Sequence, residues 1–159
     1  EPTLAPTSTP EPEPAFSRVT VAEVGLVFEV PAAWLQLEPD WAWTPAEGSE
    51  LRLGFKAAEL VPPQEIEALM LPSPATVLGA EELMPRWGSG RLFTVEVYGE
   101  ASGSQQAPVT AVELHALFTV EMDGVRWALD FYAAAPDAAQ AAAQRETVLR
   151  MVESVAFLR

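Results

Sequence analysis

One histidine and no cysteine limit the chemistry open to this 159-residue chain. Any histidine-assisted hydrolysis would have to use His115. That residue falls inside the run Thr110–Met122, where strand alternation puts Glu113, Leu117 and Thr119 on its side. No G-x-S-x-G elbow is present to supply a nucleophile. His115 is therefore expected to be a surface or half-buried strand histidine, and the chain reads as a non-enzyme with no catalytic residue. Without cysteine there is no disulfide, thiolate metal site or thiol nucleophile. The 23 acidic residues could suit only hard cations, but they are dispersed. Glu81-Glu82 and Glu11 with Glu13 come nearest to clusters, and they read as solvated surface, so no metal or cofactor is expected. So many acids offer many carboxylate pairs, and none stands out as a glycosidase pair. Gly88-Ser89-Gly90 precedes a strand and so lacks the helix N-terminus of a phosphate cradle. The five tryptophans remain. Trp127 is expected in the core and Trp34 beneath the Pro31 corner. Trp41, Trp43 and Trp87 are either core residues or a recognition surface.

The elements that position these residues are legible in part. Asp123-Gly124 between two alternating runs is a type I′ hairpin signal. Counting back from it pairs Met122 with Val125, Glu121 with Arg126, Val120 with Trp127, Phe118 with Leu129 and Ala116 with Phe131, and sets His115 opposite Tyr132. Val19–Val21 and Leu26–Val30 read as strands joined at Gly25, the second ended by Pro31. Trp41 and Trp43 share one strand face, and Leu51, Leu53 and Phe55 share another. A short helix is expected after Pro62-Pro63. Residues 75–84 read as a strand, as do 91–100 with Phe93, Val95 and Val97 on one face, and 100–108 as a mobile loop. Asp137 is a candidate N-cap for one long helix to about Val155. Ala138, Ala142, Leu149 and Val152 form its apolar stripe, and Glu146 pairs with Arg150. The final SVAFLR is a short strand or a docked tail.

Composition bounds the setting. Nine basic against 23 acidic residues leave a net charge of −14, which disfavours nucleic acid and anionic lipid surfaces as partners. No apolar run approaches the ~18 residues of a membrane span, so contact with a membrane would come only through an anchor outside this chain. Residues 1–15 hold five prolines among Thr and Glu and read as a disordered tether. Residues 16–159 read as one domain. The chain begins at Glu1 and is expected to be a processed or truncated product. The tether's composition resembles the spacer that follows the lipidated cysteine of bacterial lipoproteins.

The strand LVFEV followed by PAAW, the long hairpin, and a last helix running into Ser154-Val155-Ala156-Phe157 together resemble the PsbP-like superfamily, which includes the photosystem II extrinsic protein PsbP and DcrB-like proteins. The resemblance spans roughly 19–157. It implies an α+β fold, an α/β/α sandwich in which helices flank a central, largely antiparallel β-sheet. It also implies a bacterial, extracytoplasmic lipoprotein-type domain with no shared catalytic residues. The expected function is binding of a protein or cell-envelope component through a sheet edge or the 100–108 loop. The alternative is a carrier of a small apolar ligand, with a pocket between sheet and helix.

Overall fold

The computed structural model describes residues 15–38, 40–99 and 107–158. The expected tether, 1–15, lies outside them except for Ala15, as does most of the expected 100–108 loop.

Two antiparallel sheets carry the fold. The smaller has the order β1-β2-β10, with β1 Phe16–Val21, β2 Leu26–Pro31 and β10 Ala156–Phe157. The larger has the order β3-β4-β5-β9-β8-β7-β6. Its members are β3 Leu35–Gln36, β4 Ala42–Thr44, β5 Arg52–Glu59, β6 Ala75–Leu83, β7 Gly90–Tyr98, β8 Val109–Met122 and β9 Val125–Ala135. Three short helices complete it: α1 Ile66–Met70, α2 Ala138–Ala143 and α3 Arg145–Glu153.

The hairpin of β8 and β9 has the register read from its turn, from Met122 opposite Val125 to Ala116 opposite Phe131 and His115 opposite Tyr132. Asp123 (φ 52°) and Gly124 (φ 79°) both occupy the left-handed region that a type I′ turn requires. That register points Leu114, Ala116, Phe118, Leu129, Phe131 and Ala133 into the main core, where Leu26, Phe28 and Val30 of β2 and Val148, Met151 and Val152 of α3 meet them. Phe131 is central: its ring packs on Phe28 at 5.4 Å, Phe55 at 5.0 Å and Phe118 at 6.3 Å.

The α/β/α sandwich is corrected by this layering. One face of the large sheet is covered by the small sheet together with α2 and α3, while among the described residues the other carries only the five residues of α1 over part of its area. About half of the described residues are in strands. The expected α/β/α layering failed because Leu26, Val27, Phe28 and Val30 are all buried, which makes β2 the centre of a second sheet. The single long C-terminal helix is also corrected. It divides at Gln144 into α2 and α3, although Asp137 caps α2 as expected, accepting from the Gln140 N–H at 2.9 Å. The buried stripe is Ala141, Val148, Met151 and Val152. Arg150 turns away from Glu146 to Glu29 of β2 (3.3 Å) and covers the Phe16 ring, because these tertiary partners lie under its side chain.

Phe131→Ala should lower unfolding stability by about 3–5 kcal/mol, read from the urea midpoint at constant m-value. An unchanged midpoint would show that the core does not close around this ring.

Candidate functional site

The face of the large sheet opposite the main core holds the chain's unusual chemistry. Strand alternation brings out Gly54 and Lys56 from β5, Asp130 and Tyr132 from β9, and Glu113, His115 and Leu117 from β8. Two cross-strand rows result. Gly54, Tyr132, His115 and Phe93 lie side by side, and next to them Lys56, Asp130 and Leu117.

His115 is fully buried, not the surface or half-buried residue the sequence suggested. Its Nδ1 lies 2.8 Å and 3.0 Å from the two oxygens of Asp130, the diagonal neighbour in the register, and its Nε2 lies 2.7 Å from Glu113 Oε1, two residues away on the same face. A ring with a carboxylate at each nitrogen is best satisfied as an imidazolium donating from both. Burial opposes that charge, but the hydrogen bonds and charges of Asp130 and Glu113 outweigh it and push the His115 pKa from 6.5 up to about 9. Burial also raises the carboxyl of Asp130, and His115 and Lys56 pull it back. Lys56, the only lysine of the chain, stands directly across from Asp130, its Nζ 3.8 Å from Oδ2. With His115 charged, the two carboxylates balance the two cations.

Tyr132 roofs this network. Its ring stacks on His115 (centroids 5.6 Å apart, planes at 20°), and the Lys56 Nζ lies 5.0 Å from the ring centroid. The ring can lie there because residue 54 has no side chain: a Cβ on Gly54 would come within 2.1 Å of the tyrosine ring. Burial, then the charge of Asp130, raises the phenol to about 12, so it remains a hydrogen-bond donor at neutral pH.

Beside this roof, between β5, β9 and α1, opens a cleft of about 610 Å³. Trp41, Lys56, Leu69, Met70 and Tyr132 line it, with Asp40 at its wall. Of the sequence-selected tryptophans, Trp41 thus borders a cleft, with its ring 6.4 Å from that of Trp43. Trp43 itself is only 3% exposed and packs edge-on against Phe28. Trp87 lies apart from both. Its N–H donates to the Val152 carbonyl at 2.8 Å, its ring packs on Phe118 and Phe157, and it borders a smaller pocket of about 360 Å³ with Val120 and Met122. Trp127 is half-buried against the core instead of enclosed by it. Among the described residues no group of three histidine or acidic side chains is arranged to hold a metal ion. Glu113, His115 and Asp130 are engaged with one another.

A second surface feature is β6, an edge strand. It pairs with β7 alone among the described strands, with a bulge between Val77 and Gly79. Val77 (49% exposed), Leu78 (53%) and Met84 (81%) gather three large apolar side chains within eight residues of this edge.

No protein-family model matches the sequence, and no curated protein matches it. The fold is shared with solved structures. The Ran-binding protein Mog1p of Saccharomyces cerevisiae superposes with a TM-score of 0.59 at 12% identity, over 92% of this chain and 97% of that one. Cyanobacterial PsbP (CyanoP) of Synechocystis superposes with a TM-score of 0.55 at 10% identity, over 95% and 97%. A variant of Mog1 gives 0.56 at 12% identity, over 91% and 96%. The chain has the fold common to PsbP-like proteins and Mog1p. At these identities the likeness extends to the fold alone.

The His115–Asp130 contact was within reach of the sequence: once the turn fixes the register, Asp130 is the diagonal neighbour of His115. The tilt of Tyr132 over Gly54 was not, since it depends on β5 lying beside β9.

Two tests follow from this geometry. A pKa raised on folding stabilises the domain fully below the unfolded value of 6.5, and this contribution is lost as pH rises through about 9. The raised Asp130 carboxyl acts with the same sign over a window that opens lower, at its unfolded value of 3.8. Unfolding free energy should therefore fall between pH 6.5 and 9 by an amount on the order of 3 kcal/mol, and His115→Asn should flatten the profile. A flat wild-type profile would contradict the charged network. Gly54→Ala should displace the Tyr132 ring and destabilise by about 1–3 kcal/mol, with loss of the ring-current shifts that His115 and Tyr132 impose on each other in NMR spectra. Unchanged shifts would mean that the ring does not rest on Gly54.

Proposed function

We propose that the chain is a non-enzymatic domain that binds a partner protein by accepting an extended segment along the free edge of β6. The observation that carries this reading is that edge itself. It is nine residues long, has no strand on its outer side among the described residues, and presents Val77 and Leu78 to solvent. Unpaired N–H and C=O groups on an edge give a peptide its backbone hydrogen bonds, and neighbouring apolar side chains give it selectivity. The partner is a different protein, because a charge of −14 on each copy opposes self-association. That Mog1p is a Ran-binding protein on the same fold supports a protein-binding role by analogy only. The enclosure of His115 between two carboxylates supports the non-enzymatic reading, since neither ring nitrogen is free to take a substrate proton.

The setting we propose is extracytoplasmic, with residues 1–15 as the tether of a bacterial lipoprotein-type domain; the Pro/Thr/Glu composition of that segment supports it. A second reading, a carrier of a small ligand, is favoured by one observation, the cleft between the sheet and α1.

The edge is tested with a paired variant, Val77→Lys with Leu78→Lys. These side chains are about half exposed, so the fold and melting temperature should change little. In crosslinking on intact cells, a partner joined to the wild-type chain should be reduced at least tenfold in the variant. Equal crosslinking would remove β6 as the binding edge. Protease added to intact cells should degrade the domain, and full protection would contradict the extracytoplasmic setting.

A further inference from the structure

Three side chains that can donate hydrogen bonds line the cleft between β5, β9 and α1. The Lys56 ammonium is donor-only, about half exposed, and beyond hydrogen-bond distance of Asp130 at 3.8 Å. The Tyr132 hydroxyl and the Trp41 indole N–H are also donors. Among the described residues none of these three groups has a hydrogen-bond acceptor within the protein, none is buried without one, and all three residues line the cleft. The remaining lining is apolar and includes Leu69 and Met70 of α1. Asp40 at the wall is the one opposing charge.

The electrostatics beneath suit an incoming anion better than the chain's net charge suggests. Asp130 and Glu113 lie behind Lys56, but His115 and Lys56 themselves neutralise them. The buried trio His115, Asp130 and Glu113 carries one net negative charge and Lys56 brings the sum to zero, so an acidic group entering the cleft meets the outward, positive end of a neutral cluster. A volume of about 610 Å³ suits a small organic molecule.

We propose that this cleft binds a small amphipathic carboxylate, with its carboxylate on Lys56 and Tyr132 and its apolar body against Trp41, Leu69 and Met70. The proposal rests on reading the cleft as a ligand site and is independent of the β6 edge.

Octanoate and n-octanol, titrated into the full chain by calorimetry at neutral pH, separate the two levels. Octanoate should bind at least tenfold more tightly than octanol. Lys56→Met should remove that preference and leave octanol unchanged, and Lys56→Arg should restore it. The Lys56 side chain is about half exposed, so both variants should fold, as circular dichroism would verify. Equal binding of the two probes would overturn the carboxylate assignment and leave a ligand site standing. If neither probe bound at millimolar concentration, the ligand site would fall as well. Octanoate binding should be unaffected by the paired Val77 and Leu78 substitutions, and its loss there would place the site at β6 and overturn the proposal.

Discussion

A slip of one residue between β8 and β9 would turn one of the two strands over, sending either Phe118 of β8 or Leu129 and Phe131 of β9 out of the main core and putting His115 or Asp130 into it. The rest of the molecule depends on this register. Asp123 and Gly124 supply the left-handed pair that fixes it at the turn. At the far end, Phe131 closes it from the core side through Phe28, Phe55 and Phe118. A local turn preference and a long-range packing preference select the same alignment, and such agreement between levels favours a single native state.

The same register builds the polar face. Burying a carboxylate and an imidazolium costs several kcal/mol for each ion unless both are paired and hydrogen-bonded. Here the two ring nitrogens and both oxygens of Asp130 are engaged, and no buried side-chain polar atom among the described residues lacks a partner. Tyr132 and Lys56 shield the network from water and at the same time face the cleft. The groups that make the network stable therefore also give the cleft its donors. Network and cleft form one structural unit, distinct from the apolar β6 edge on the other side of the large sheet.

The layering has a simple physical origin. Every large apolar side chain of β2 is buried, and β2 is the central strand of the small sheet. β1 and the C-terminal β10 provide the paired edges, and the α3 stripe of Val148, Met151 and Val152 fills the space between this small sheet and the large one. The opposite face carries the charged network and, over part of its area, α1. One face of the sheet thus became a closed core and the other an accessible surface.

Sequence alone determined the hairpin turn and its pairing, the Asp137 cap, the strands on either side of Gly25, and the absence of cysteine chemistry. These depend on residue type and spacing within a few positions, where backbone sterics and side-chain alternation act locally. It also contained enough to place Asp130 diagonal to His115. Tertiary structure decided what lies above and below the strands: the second sheet, the break at Gln144, the pairing of Arg150 with Glu29 in place of Glu146, the burial of His115, and the tyrosine laid over Gly54. Each of these depends on which distant segment arrives as a neighbour. Periodicity says which face is apolar, but not which partner covers it.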